Sequence, residues 1–125
     1  MTTRVAMALA AVLCFTGCSS ESGTDRTAES LLGKSLGEVG STISSDEVLL
    51  IVQDASPRFA KPPSYTADNL HDSRFTIIAA CSNRPSLNDS SQIEIAVVPT
   101  ESFQKEGKER MDLGEFTDAV VCDFK

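Results

Sequence analysis

The sequence predicts a small α+β domain, one N-terminal helix packed on a sheet of three strands, antiparallel or mixed, with a fourth strand if the C-terminal end pairs. Three observations carry this. Leu36, Val39 and Ile43 recur at helical spacing. Three β-prone runs follow, at residues 48–52, 75–81 and 93–97, each bounded by Pro, Asn, Asp or Ser. The whole chain has 125 residues, enough for one modest core.

Taken in order, the chain opens with Met1-Thr2-Thr3-Arg4, one basic residue, and then residues 5–15 without charge. This is the layout of a signal peptide. As a helix the apolar run rises about 16 Å, roughly half a bilayer's hydrocarbon core, too little for a stable span. It closes on Phe15-Thr16-Gly17-Cys18, which resembles a bacterial lipobox: apolar, small, small, cysteine. Phe15 stands where leucine is usual, and Cys14 is the poorer candidate because bulky Leu13 precedes it. Residues 1–17 are therefore expected to be removed as a signal peptide. Cys18 then becomes the lipidated first residue, carrying palmitate-type acyl chains and anchored to the extracytoplasmic side of the cell membrane. The competing reading is an ordinary secretory signal cut near Gly17, leaving Cys18 a plain thiol.

The remaining chain keeps all eighteen acids and, without Arg4, ten bases, a net charge of −8. Such a charge argues against nucleic acid as a partner and against charge-driven contact with anionic headgroups. Membrane contact is expected through the lipid alone. Of the four cysteines, Cys14 leaves with the signal and Cys18 is consumed by acylation. Cys81 and Cys122 remain in a compartment that permits disulfides, so they are expected to pair, the alternative being two separate buried thiols.

Residues 18–30 contain no large apolar side chain and read as a flexible tether. Ser35-Leu36-Gly37-Glu38 is a capping-box pattern that opens the helix. Gly37 and Gly40 weaken that helix, and a glycine on its face suggests close approach of a sheet. The continuous run 48–52 reads as a strand at least partly covered on both faces. Residues 54–67, with Pro57, Pro62 and Pro63, read as a long exposed loop. The strand at 75–81 is expected to place Phe75, Ile77, Ala79 and Cys81 on one face, toward the core. Residues 82–92 read as a polar turn region, and 93–97 as a half-buried strand ended by Pro99. The extension 99–125 is expected to dock through the disulfide on that same core. Within it, 101–110 suits a surface helix interrupted by Gly107, and Val120, Cys122 and Phe124 suit either a last strand or the end of a helix.

This order, opened by Leu32-Gly33-Lys34-Ser35-Leu36-Gly37-Glu38-Val39, resembles a PASTA domain over residues 31–98. Gly33-Lys34 match the family's opening, and Val39 and Ile43 fall at its two helix positions. Pro85-Ser86-Leu87-Asn88 stands where the family has a Pro-x-x-Gly turn, with asparagine tolerating left-handed backbone in glycine's place. The acidic, arginine-containing Asp54-Ala55-Ser56-Pro57-Arg58 is similar to a segment of single-copy variants in actinobacterial lipoproteins. No proline precedes Leu31, the loop before Phe75 lacks tryptophan, and 99–125 has no counterpart. The resemblance implies association with a peptidoglycan fragment or an envelope protein, and it carries over no ligand residue.

Catalytic motifs are sparse. His71, the only histidine, sits in Asp68-Asn69-Leu70-His71-Asp72 without an activated nucleophile beside it. Asp68, Asn69 and Asp72 lack the alternation and turn glycine of a calcium loop. No Gly-x-Ser-x-Gly or Ser-x-x-Lys appears, Asn88-Asp89-Ser90 is a sequon only under a eukaryotic signal, and no spacing suits a metal. Lys34, Arg58, Lys61, Arg74 and Arg84 are scattered. The expectation is a monomeric, non-catalytic, cofactor-free envelope lipoprotein. A small hydrolase using His71 with Asp or Ser, or a phage- or plasmid-borne lipoprotein that excludes superinfection, are the alternatives.

Overall fold

The computed structural model describes residues 26–124. The signal peptide, Cys18 and residues 19–25 of the expected tether lie outside the described residues. The fold is α+β. Helix α1 (Leu36–Ile43) and strands β1 (Leu49–Asp54), β2 (Phe75–Ser82) and β3 (Gln92–Pro99) form a mixed sheet in the order β1-β3-β2. β3 is central, parallel to β1 and antiparallel to β2.

The start of α1 follows from its cap. The Ser35 hydroxyl accepts from the Glu38 amide at 3.3 Å, and donates to the Glu38 carboxylate at 3.4 Å. Leu36, Val39 and Ile43 then bury one stripe against Ile77, Ile93, Ile95 and Val97 of the sheet. The chain before α1 is packed as well. A 3-10 turn at Ala28–Leu31 buries Ala28 and Leu31, and the Arg26 carbonyl accepts from the Leu87 amide at 2.7 Å.

Two strands exchange the roles their sequences suggest. β1, the continuous apolar run, is an edge strand exposed at alternate residues. β3, the alternating run, is buried from Ile93 to Val98. The reason lies in what the second face of β3 carries. Ala96 and Val98 are apolar there, and the one charged residue, Glu94, is itself satisfied internally.

β2 departs from expectation at a bulge. Its register with β3 shifts between Ile77 and Ala79, so one extra residue enters the strand. Phe75 and Ile77 therefore face α1, whereas Ile78, Ala79 and Cys81 face the opposite side. An uninterrupted period of two would have kept Ala79 and Cys81 with Phe75. The sheet thus has two cores, one under α1 and one under the C-terminal segment.

The second core is closed by residues 100–124. Thr100–Ser102 (α2) and Lys108–Asp112 (α3) are α-helical, with a π turn at Phe103–Gly107 between them. Gly107 sits in that turn, where a Cβ would press on the Phe103 and Phe59 rings at 3.1 and 3.3 Å. Phe116 stacks on Phe59 with centroids 5.4 Å apart, and the Arg110 guanidinium covers both rings at 4.7 and 4.9 Å. The loop after β1 is accordingly not wholly exposed, because a 3-10 turn at Ser56–Phe59 inserts Phe59. Residues 121–124 are irregular and do not join the sheet, so neither a last strand nor a helix end forms there.

Cys81 and Cys122 are joined, with Cα atoms 5.9 Å apart. The bridge ties the tail to the face of β2 away from α1. A loop of this length is worth on the order of 3–4 kcal/mol in the chain-entropy model. The turn at residues 85–88 also differs from expectation. Asn88 lies in a 3-10 turn at Leu87–Asp89, and among the described residues the non-glycine residues with positive φ are Ala60 and Cys122 instead.

Candidate binding cleft and its carboxylate latch

The bulge in β2 prepares a site by turning Ile78 and Ala79 away from α1. The 3-10 turn at Ala28–Leu31 packs along one side of the strand and brings Glu29 and Leu32. The C-terminal segment lies on the other side and brings Met111, Phe116 and Val120. Between them is a cleft of about 490 Å³, with Cys122 of the disulfide at one end. Its walls are mainly apolar, with the exposed carboxylate of Glu29 and the hydroxyl of Thr117 as its side-chain polar groups. Such a lining supplies alkyl contact and one anionic group, the composition of a binding pocket.

Glu94 holds the wall that the tail forms. Only 3% exposed, it projects from β3 beneath the tail. Its Oε2 accepts from the Val121 amide at 3.0 Å and from Gln53 Nε2 at 3.2 Å. Its Oε1 accepts from the Cys122 amide at 3.0 Å. Burial by itself pushes the carboxyl pKa up, but the three hydrogen bonds prevail and hold it below the usual carboxylate range. Two successive backbone N–H groups facing one anion explain how Cys122 is kept at φ 60°. The latch and the disulfide act on adjacent atoms of one short segment.

Asp54 plays a matching part at the end of β1. It accepts from the Ser56 amide and hydroxyl, and from the Ser64 and Tyr65 amides at 2.6 and 2.8 Å. Burial raises its pKa, and these bonds bring it below the ordinary value. The proline-bearing loop is thereby drawn back onto the strand, and Tyr65 reaches Phe75 edge-on at 5.5 Å.

The sequence-derived candidates disperse. His71 is exposed, without a hydrogen-bond partner among the described residues, beside Gly40 of α1. Asp72 is engaged by Arg74 and by Asn69, and the Arg74 guanidinium holds its carboxyl well below the usual range. Asn69 caps its own turn through Thr66. Arg58 pairs with Asp118 and Arg74 with Asp72. Among the described residues no group of three His, Cys, Asp or Glu gathers as metal ligands do, and no helix is long and apolar enough to cross a membrane.

Reading by periodicity missed both Glu94 and the cleft. The available signal was a single carboxylate inside Ile93-Glu94-Ile95-Ala96-Val97-Val98, where an outward-facing strand would repeat its polar residues. The cleft left no such trace, since its walls come from three separated segments. No family model, curated protein or solved structure matches the chain.

Proposed function

We propose that this chain is a membrane-anchored lipoprotein of the cell envelope, held through Cys18, whose PASTA-like domain is a non-catalytic binding module for a cell-wall component or an envelope protein. The observation that carries the reading is the cleft of about 490 Å³ between the N-terminal turn and the disulfide-tied tail. Leu32, Ile78, Met111 and Phe116 offer contact to alkyl groups, and Glu29 offers a counter-charge to an ammonium. The peptide stem of a muropeptide combines those two chemistries. The PASTA-like reading is supported by Gly33-Lys34 leading into one helix over a three-stranded sheet. The anchor rests on Phe15-Thr16-Gly17-Cys18.

The test uses the full-length chain purified in detergent. It is sedimented with isolated peptidoglycan sacculi, and in parallel cross-linked in cells from a photoreactive residue at Thr117. Binding by one route, lowered at least tenfold by Met111→Asp, is the expected result. Absence of both sacculus binding and a discrete cross-link, or full binding by the variant, overturns the reading.

A further inference from the structure

The sheet has two edges, and the molecule treats them differently. Along the outer edge of β2, the Gly33 amide donates to the Ile77 carbonyl at 2.8 Å and the Ile77 amide to the Lys34 carbonyl at 2.9 Å. A bridge between Ser35 and Thr76 completes that cover. Along β1, the Leu49 and Ala55 amides donate inward to the Ser91 and Val97 carbonyls, both at 2.8 Å. Alternation along the strand then turns the N–H and C=O groups of Leu50 and Val52 outward. These have no hydrogen-bond partner among the described residues.

Natural edge strands are normally blunted by lysine, proline, a bulge or a covering segment. Leu49-Leu50-Ile51-Val52-Gln53 contains neither a charge nor a proline, and its register with β3 is unbroken. Its open face is apolar as well. Leu49 is 57% and Ile51 37% exposed. Val121, 74% exposed, is tethered beside them by its bond to Glu94, the register partner of Ile51. Three of the four large apolar side chains exposed among the described residues therefore lie together.

We propose that this edge is an interaction surface for a second copy of the same chain, two β1 strands pairing antiparallel about Ile51. Charge favours an identical partner in that direction. Asp46 and Glu47 precede β1; beyond Asp54, whose carboxylate is engaged by its own loop, Arg58 and Lys61 follow, Arg58 also pairing with Asp118. Antiparallel pairing brings the acidic flank of each copy toward the basic flank of the other. The register also fits. Leu50 faces Val52 of the second copy as a hydrogen-bonded pair, and the two Ile51 residues form the closer, non-hydrogen-bonded pair. A contact confined to one six-residue strand from each copy is smaller than a standard interface of roughly 20–30 residues a side. The pair is therefore weak in dilute solution and forms where copies are concentrated. The monomer expected from the sequence is its dissociated state.

The test places single cysteines in the full-length protein in detergent, with the Cys81–Cys122 bridge checked by peptide mapping. Two Ile51 Cα atoms in such a pair stand about 4.5 Å apart, within disulfide reach. Ile51→Cys should give a covalent dimer on mild oxidation. Leu49→Cys should not, because its counterpart is offset by about 13 Å, whereas Leu49→Cys with Gln53→Cys should cross-link. Sedimentation of the unmodified protein should show concentration-dependent dimers, at least tenfold weaker in Ile51→Lys, with an unchanged circular dichroism spectrum. No Ile51→Cys dimer, equal cross-linking by the Leu49→Cys single variant, or undiminished association of Ile51→Lys overturns the proposal.

Discussion

Glu94 directs its charge at the chain's own C-terminal end, and that choice sets how acid acts on the fold. Its pKa in the folded protein lies below the ordinary value, and Asp54 behaves the same way. A group depressed on folding stabilises the fold fully above its unfolded pKa, and that contribution is lost as pH falls through the folded value. The fold should therefore be unaffected by pH near neutrality and weaken on acidification below the carboxylate range. Glu94→Gln presents an amide N–H where a donor already points, leaving that buried N–H or an amide of Val121, Cys122 or Gln53 unmatched. We expect a loss of about 2 kcal/mol at neutral pH, shrinking at pH 3. Urea denaturation at both values checks this, and an equal loss at the two would contradict it. Sequence periodicity could not show this residue's part, because alternation reports which way a side chain points and not whether it finds a partner there.

At the scale of elements, the helix, the strands and the disulfide pairing were legible, and what covers each of them was not. The stripe Leu36, Val39 and Ile43 and the Ser35 cap stand as the spacing implies. The glycines of α1 do mark a close approach, but of a loop and not of the sheet. A Cβ on Gly40 would run into the Leu70 carbonyl, and one on Gly37 into the Ser73 side chain. The loop is held there by the Thr100 hydroxyl, which donates to the Ser73 carbonyl at 2.7 Å. Gly40→Ala should gain about 1 kcal/mol of helix propensity and lose about 1–3 kcal/mol to overpacking. We expect a net fall in melting temperature, read by calorimetry; a rise would show that the loop yields freely. The exchange of roles between β1 and β3 has a similar origin. Apolar content alone ranks β1 as the buried strand, yet placement is decided by which strand finds partners on both edges.

For the molecule as a whole, the acidic charge was readable from composition. The two-sided core was not, since it depends on one bulge that no residue type announces. Anchoring remains the property on which the proposed role most depends. Cys18→Ser, expressed in a bacterial host, should abolish fatty-acid labelling and release the protein from the membrane fraction. Membrane retention equal to that of the unaltered chain would remove the lipid from the account.

The placement of the C-terminal segment over the second face of the sheet has a consequence for how the protein comes into being. A chain is made from its N-terminus, so α1 and all three strands are complete by Pro99. At that moment Ile78, Ala96 and Val98 still await Phe116 and Val120. The nascent domain therefore passes through an interval in which one face is finished and the other is bare and adhesive. During the same interval the Cys81 thiol has no correct mate. That interval ends only once Cys122 has been made and can pair with Cys81.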